Sequence, residues 1–292
     1  MTLNRLAVCA AILGATLTSS TLSAQAAPRL LEIDNFIGRI EMSTSNSPNM
    51  NVVVTPGRKA NATTTINGNV TRVSGSFGRV RNINCNSNNG RTIITINGVN
   101  YAPEDLPMIT ATSNSAHGLR IRYSYITGQI GDIGGVTLGL QGCGDLVIGN
   151  VLHDAQINMA GSGDVRVGNI GGKADINLAG SGDAQIGNVG HNLEINIAGS
   201  GNLQTGNIGG ETDLNIAGSG NADIASTPKL DANVAGSGDI LVRGGRGEIE
   251  AMIVGSGDIN YRGTAISPKI RILGSGAVNF AKTEDEMRGG SR

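Results

Sequence analysis

Along the second half of the chain, apolar and polar residues alternate in short runs, which is the period of a strand and not of a helix. Asp175-Ile176-Asn177-Leu178, Glu194-Ile195-Asn196-Ile197 and Asp213-Leu214-Asn215-Ile216 set their aliphatic residues on one face and their acids and asparagines on the other. A second run follows in each unit: Val165 and Val167, Ala184 and Ile186, Ile240 and Val242, Ile259 and Tyr261. The pattern predicts two short strands per unit, and no interior segment reads as a long helix.

The units repeat. Gly161-Ser162-Gly163-Asp164 returns as Gly180-Ser181-Gly182-Asp183, Gly199-Ser200-Gly201-Asn202, Gly218-Ser219-Gly220-Asn221, Gly236-Ser237-Gly238-Asp239, Gly255-Ser256-Gly257-Asp258 and Gly274-Ser275-Gly276-Ala277, preceded by the variant Gly142-Cys143-Gly144-Asp145. The first glycines stand 19, 19, 19, 19, 18, 19 and 19 residues apart. So regular a period marks a solenoid. Gly-Ser-Gly lets the chain turn sharply with positive φ. Gly149-Asn150, Gly168-Asn169, Gly187-Asn188 and Gly206-Asn207 mark a second corner, where asparagine can bond to the rung above or below. Val151, Ile170, Val189 and Ile208 follow and point inward as a third, shorter side.

With one unit per coil, equivalent residues stack at about 4.8 Å. The expected fold is all-β: a right-handed parallel β-helix (β-solenoid) of about 19 residues per coil, with an irregular N-terminal β region. Eight coils would make a rod on the order of 40 Å long. A folded array of hairpins fits less well, since the repeat keeps like residues in register only when coils stack in parallel.

Residues 1–26 read as an export signal, with Arg5, an apolar stretch from Leu6 to Leu17, and small residues at Ala24 and Ala26, so that the mature chain begins at Ala27. The apolar run is too short to span a bilayer, so no transmembrane segment is expected in the mature chain. Cys9 sits at the start of that run, not after it, which argues against lipidation. Residues 27–140 are expected to form irregular β coils and a cap, with strands at Leu31-Glu32-Ile33, Ile37 to Met42, Asn51 to Val54, Thr92 to Ile96 and Leu119 to Tyr123. The polar stretch Asn82 to Arg91 reads as a loop. Residues 141–281 form the regular solenoid, and residues 282–292 a mobile charged tail.

Composition sharpens this picture. Glycine accounts for 45 of 292 residues, which the turns explain, and the glycines lack the three-residue period of collagen. Aromatics are 2%, which argues against a stacking surface for sugars, bases or flavins. The formal net charge is −1 with no basic run, so nucleic acid is not expected as a partner.

The column Asp145, Asp164, Asp183, Asn202, Asn221, Asp239, Asp258 is the most conspicuous chemistry. Capping of each turn through nearby amides explains why aspartate and asparagine interchange. Calcium along an oxygen-rich edge is the alternative, although the calcium-binding β-roll has a repeat half as long. Cys85 and Cys143 remain after export and can pair in an oxidising compartment; two buried thiols are the other reading. No catalytic, cofactor or metal site is assigned. Arg166, Arg243, Arg262 and Arg271 are scattered, His153 and His191 stand two coils apart as turn residues, and the serine column has no histidine column to activate it. Gly171-Gly172-Lys173-Ala174 lacks the hydroxyl residue and following helix of a phosphate loop.

The Gly-Ser-Gly-Asp/Asn series, the run Gly255-Ser256-Gly257-Asp258-Ile259-Asn260-Tyr261-Arg262-Gly263 and the opening Leu31 to Val54 region resemble the head GIN domain family, described as the head of auto-transporter adhesins. The resemblance implies a parallel β-helix outside the cytoplasm. Nothing after residue 140 alternates over spans of about ten residues between aromatic girdles, so no C-terminal membrane barrel is expected. The resulting expectation is an exported, non-enzymatic scaffold or binding surface, periplasmic, secreted or at the cell surface. Its partner would be a protein or glycan of the envelope, and assembly through the coil ends stays open. The alternatives are a polysaccharide-acting β-helix lyase or hydrolase, and a calcium-stabilised solenoid.

Overall fold

A computed structural model of the chain describes residues 29–78, 80–88 and 91–283. The expected export segment 1–26 and the tail from residue 284 onward lie outside the described residues. The fold is an all-β solenoid of about nine coils with about 19 residues each. No helix among the described residues is long and apolar enough to cross a membrane.

Each regular coil has two strands and a short third side. The first face stacks Gly135–Gly142, Ala155–Gly161, Ala174–Gly180, Leu193–Gly199, Glu211–Gly218, Lys229–Gly236 and Arg246–Gly255 in parallel, residue on equivalent residue. The second face stacks Leu146–Ile148, Val165–Val167, Ala184–Ile186, Leu203–Asn207, Ala222–Ser226 and Ile240–Gly244. Single parallel bridges join Ile133, Val151, Ile170, Val189 and Ile208 on the third side. Inward columns such as Ile157, Ile176, Ile195 and Leu214 are fully buried, so every coil adds aliphatic area to one continuous core.

The two glycines of each Gly-Ser-Gly turn share one steric limit and differ in backbone conformation. Gly180 has φ +130°, a backbone that side chains rarely adopt, and a Cβ there would overlap the carbonyl of Gly161. Gly182 has no positive φ; a Cβ on it would overlap the carbonyl of Gly163 one coil back. Sharp turning and close coil-to-coil approach together require glycine at the first position, and close approach alone requires it at the second.

The N-terminal region departs from coil-by-coil order. Leu30–Asp34 lies between Gly118–Ile130 and Val70–Gly75, and Ile37–Thr44 lies between Gly118–Ile130 and Met108–Ser113, all in parallel. The first coil in sequence is thus interior, and the outermost is closed by strands that come later. Asn51–Thr55 and Ala62–Asn67 then pair antiparallel against that outermost coil and cover its edges.

The stretch Asn82 to Arg91, expected as a loop, is instead mostly strand. Ile83–Asn88, Arg91–Ile96 and Val99–Tyr101 form an antiparallel sheet of their own, turned at Asn97-Gly98 with φ +50° and +86°. Asn84 and Asn86 are exposed, while Ile83 and Cys85 pack on a small second core with Ile94, Ile96 and Tyr125. The alternation is real but brief, and the asparagines obscure it.

Candidate functional site

The corner column is built by inter-coil hydrogen bonds. Asp145 Oδ1 accepts the backbone N–H of Asp164 at 3.0 Å, Asp164 that of Asp183 at 3.0 Å, and Asp183 that of Asn202 at 2.8 Å. The series continues through Asn202 to Asn221 at 3.1 Å, Asn221 to Asp239 at 2.8 Å, Asp239 to Asp258 at 2.8 Å, and Asp258 to Ala277 at 2.8 Å. Each side chain therefore satisfies an amide of the next coil, where the sequence suggested its own turn. Only one oxygen is required, and an amide supplies it as well as a carboxylate does.

The second corner works alike. Asp132 accepts the N–H of Asn150 at 2.7 Å, Asn150 that of Asn169 at 2.9 Å, and Asn169 that of Asn188 at 2.9 Å. Asp154 accepts the N–H of Lys173 at 2.8 Å at the turn that follows the third side. Among the described residues no group of three or more His, Cys, Asp or Glu is arranged to hold a metal ion.

The sequence assigned its candidate residues to the corner and named the polar side of the first face only as an outward surface. Three columns run there in register. The first is Gln156, Asp175, Glu194, Asp213, Asp231, Glu250 and Lys269; the second is Asn158, Asn177, Asn196, Asn215, Asn233, Met252 and Arg271; the third is Ala160, Ala179, Ala198, Ala217, Ala235, Val254 and Leu273. The acids recur at the glycine period and were legible as the polar side of the strands, but strand alternation alone did not mark them as a site. Burial beneath neighbouring side chains, then the charges of Glu211 and Asp231, raise the Asp213 carboxyl above the usual range. In the second column Asn177 Nδ2 donates to Asn158 Oδ1 at 3.1 Å, Asn196 to Asn177 at 2.9 Å, Asn215 to Asn196 at 3.2 Å and Asn233 to Asn215 at 3.2 Å. This is the amide ladder of stacked parallel strands.

At the N-terminal end of the same face Glu32, only 4% exposed, accepts from Arg72 Nη2 at 2.5 Å and Arg120 Nη1 at 2.8 Å. The Arg72 hydrogen bond holds its carboxyl below the usual range against the opposing effect of burial, aided by Arg120. These partners lie 40 and 88 residues from Glu32, which no local pattern reveals.

The remaining candidates do not converge. Arg166 bonds to Gln185 at 3.2 Å, and Arg243 bonds to Asp223 at 2.6 Å on the second face. His153 and His191 are exposed on different coils. His117, which the sequence did not single out, is buried at the cap, its Nδ1 3.0 Å from Ser113 Oγ. Cys85 and Cys143 form a disulfide with a Cα–Cα distance of 6.1 Å, tying the N-terminal hairpin to the first Gly-Cys-Gly corner.

The repeated corner and the stacked strands behind it cover the stretch that a family description matches, "Putative auto-transporter adhesin, head GIN domain". Residues 134–245 match the head GIN domain family. The head GIN match opens at the third side before Gly135–Gly142 and closes after Ile240–Gly244, so it takes in most of the regular coils. No curated protein matches the chain. Among solved structures, a "putative adhesin" from Parabacteroides distasonis is 18% identical over 87% of this chain and 94% of its own, with a TM-score of 0.47. A "putative lipid binding protein" from the same organism is 18% identical over 87% of this chain and 93% of its own, with a TM-score of 0.43. A "putative adhesin" from Bacteroides fragilis is 17% identical over 88% of this chain and 94% of its own, with a TM-score of 0.35. At these scores the likeness assigns no function.

Proposed function

We propose that the protein is an exported, non-catalytic binding scaffold of the cell envelope, an adhesive surface displayed on a rigid solenoid. The observation that carries this reading is the outer side of the first face. Its backbone hydrogen bonds are spent between coils, its residues are in register from Gln156 to Lys269, and its three side-chain columns face outward as one ordered surface. The carboxyl groups with shifted ionisation, Glu32, Asp105, Asp213 and Asp223, lie on different elements and do not pair as an acid and a base. That distribution supports a scaffold over a polysaccharide-cleaving enzyme. Export through residues 1–26 would place it in the periplasm or at the cell surface.

The test is capture from an envelope fraction with residues 27–292, alongside Ala198→Arg on the first face and Gln204→Arg on the second. A retained partner lost with Ala198→Arg and kept with Gln204→Arg is expected. Capture of nothing, or equal loss with both variants, would remove the reading. N-terminal sequencing of the protein recovered from whole cells should begin at Ala27.

A further inference from the structure

We infer that the first face carries a subsite for an uncharged, extended pyranose chain, with Tyr123 as its aromatic platform; this rests on the binding-scaffold reading above and names the ligand class. Tyr123 sits at the register shift of Gly118–Ile130 with φ +49° and is 72% exposed. A left-handed backbone is costly for an aromatic residue, and a ring left in solvent returns nothing to the core. The ring borders a groove of about 500 Å³ whose floor includes Gly139, Gln141, Asn158, Ala160 and Asn177. Composition argued against sugar stacking, yet a single ring suffices where the rest of the surface supplies hydrogen bonds.

The floor fits a pyranose chain in three respects. Gly139 and Ala160 leave a low apolar strip against which the C–H face of a ring can lie, next to the aromatic face. The asparagine ladder uses one N–H and one oxygen lone pair of Asn177 between coils, through Asn158 and Asn196. The second N–H of Asn177 goes to Asp175 Oδ1 at 2.8 Å, which leaves the second oxygen lone pair, an acceptor for ligand hydroxyls that recurs along the column every ~4.8 Å. The pyranose units of an extended β-1,4-linked chain recur at nearly this spacing, so hydroxyls of successive units can meet successive amides.

Charge narrows the class. Arg122 at the groove's edge is already bound to Asp34 at 2.9 Å, while Asp175 and Glu194 run alongside the ladder. An acidic glycan would face those carboxylates, and Arg122, the cation in the groove's own lining, is already paired. A lipid chain would strip water from the ladder amides and return no hydrogen bond.

The test is isothermal titration of residues 27–292 with hexamers of β-1,4-linked glucose and of β-1,4-linked N-acetylglucosamine, with a hexagalacturonate and phosphatidylcholine vesicles as comparisons. Tyr123→Gly removes the ring and suits the left-handed backbone, and Ala160→Arg fills the groove. At least one neutral hexamer should bind below about 5 mM, more tightly than the hexagalacturonate or the vesicles, and Tyr123→Gly should weaken it by about tenfold. Should Ala160→Arg fail to fold, Tyr123→Gly decides alone. Absence of neutral binding below that limit, indifference to Tyr123→Gly, or equal binding of the anionic hexamer or the vesicles overturns the subsite. If envelope capture still succeeds while the hexamers fail, only the subsite falls; if capture also fails, the scaffold reading falls with it.

Discussion

The backbone N–H of Ala277 donates to Asp258 Oδ1 at 2.8 Å, although alanine has no side-chain oxygen to pass the bond onward. The corner ladder therefore runs in one direction, each side-chain oxygen accepting an N–H of the following coil, and can end at a residue that only donates. This accounts for the last Gly-Ser-Gly being followed by alanine where the others precede Asp or Asn.

Asp183 accepts from the N–H of Asn202 and, at 3.0 Å, from its Nδ2. Asp183→Ala should cost about 1 kcal/mol in urea unfolding, as loss of a capping oxygen does. Asp183→Asn should stay within about 0.5 kcal/mol of the parent. Calcium should leave the melting temperature of both unchanged. A large upward shift with calcium in the parent would show that the column binds the ion and would replace the capping account.

Gly180 and Gly68 separate conformational strain from steric exclusion. Gly68 has φ +57° with nothing near its Cβ position, so Gly68→Ala should cost about 1 kcal/mol through backbone strain. Gly180 has positive φ and the Gly161 carbonyl in the way, so Gly180→Ala should cost about 2–4 kcal/mol. Equal losses in equilibrium denaturation would mean that the coils move apart freely at that corner.

The coils could be read from the chain because every partner lies one period away. Ile176 meets Ile157 and Ile195 at the glycine period, so strand face, corner and register were all written in the repeat. The N-terminal end was not legible in this way. Leu30–Asp34 meets Val70–Gly75 and Gly118–Ile130, partners that differ in separation and share no motif. Glu32 looks like any outward strand residue until three distant arginines surround it. Tyr123 was visible as the end of a strand candidate, but its exposure depends on a register shift that sequence pattern does not encode.

Glu32 gives a prediction with a defined sign. Its folded pKa lies below the ordinary 4.5, so the stability it contributes is present above that value and disappears as pH falls through the folded pKa. Glu32→Gln should cost about 1–3 kcal/mol at neutral pH, since it removes charge-assisted hydrogen bonds from half-exposed arginines. The gap between parent and variant should close on acidification. A gap that persists unchanged down to about pH 3 would mean that packing, not charge, holds the group.

His117 makes a second pH-sensitive contact, within the cap. Its Nδ1 lies 3.0 Å from Ser113 Oγ and accepts the N–H of Asn114 at 3.4 Å. Burial, then the charge of Arg29, push its pKa below the ordinary 6.5, with the Pro48 carbonyl opposing them. The neutral ring is therefore the folded form. Its contribution is complete above 6.5 and lost as pH falls through the lowered value, the direction opposite to a histidine held by a carboxylate. Protonation of Nδ1 removes the acceptor for Asn114 and sets a positive charge beside Arg29, so the turn before Gly118–Ile130 should loosen first. Hydrogen exchange at residues 114–118 should quicken as pH falls below 6.5 in the parent, beyond the intrinsic effect of pH, and lose that extra dependence in His117→Gln. Identical profiles in the two proteins would show that the ring does not titrate within the cap.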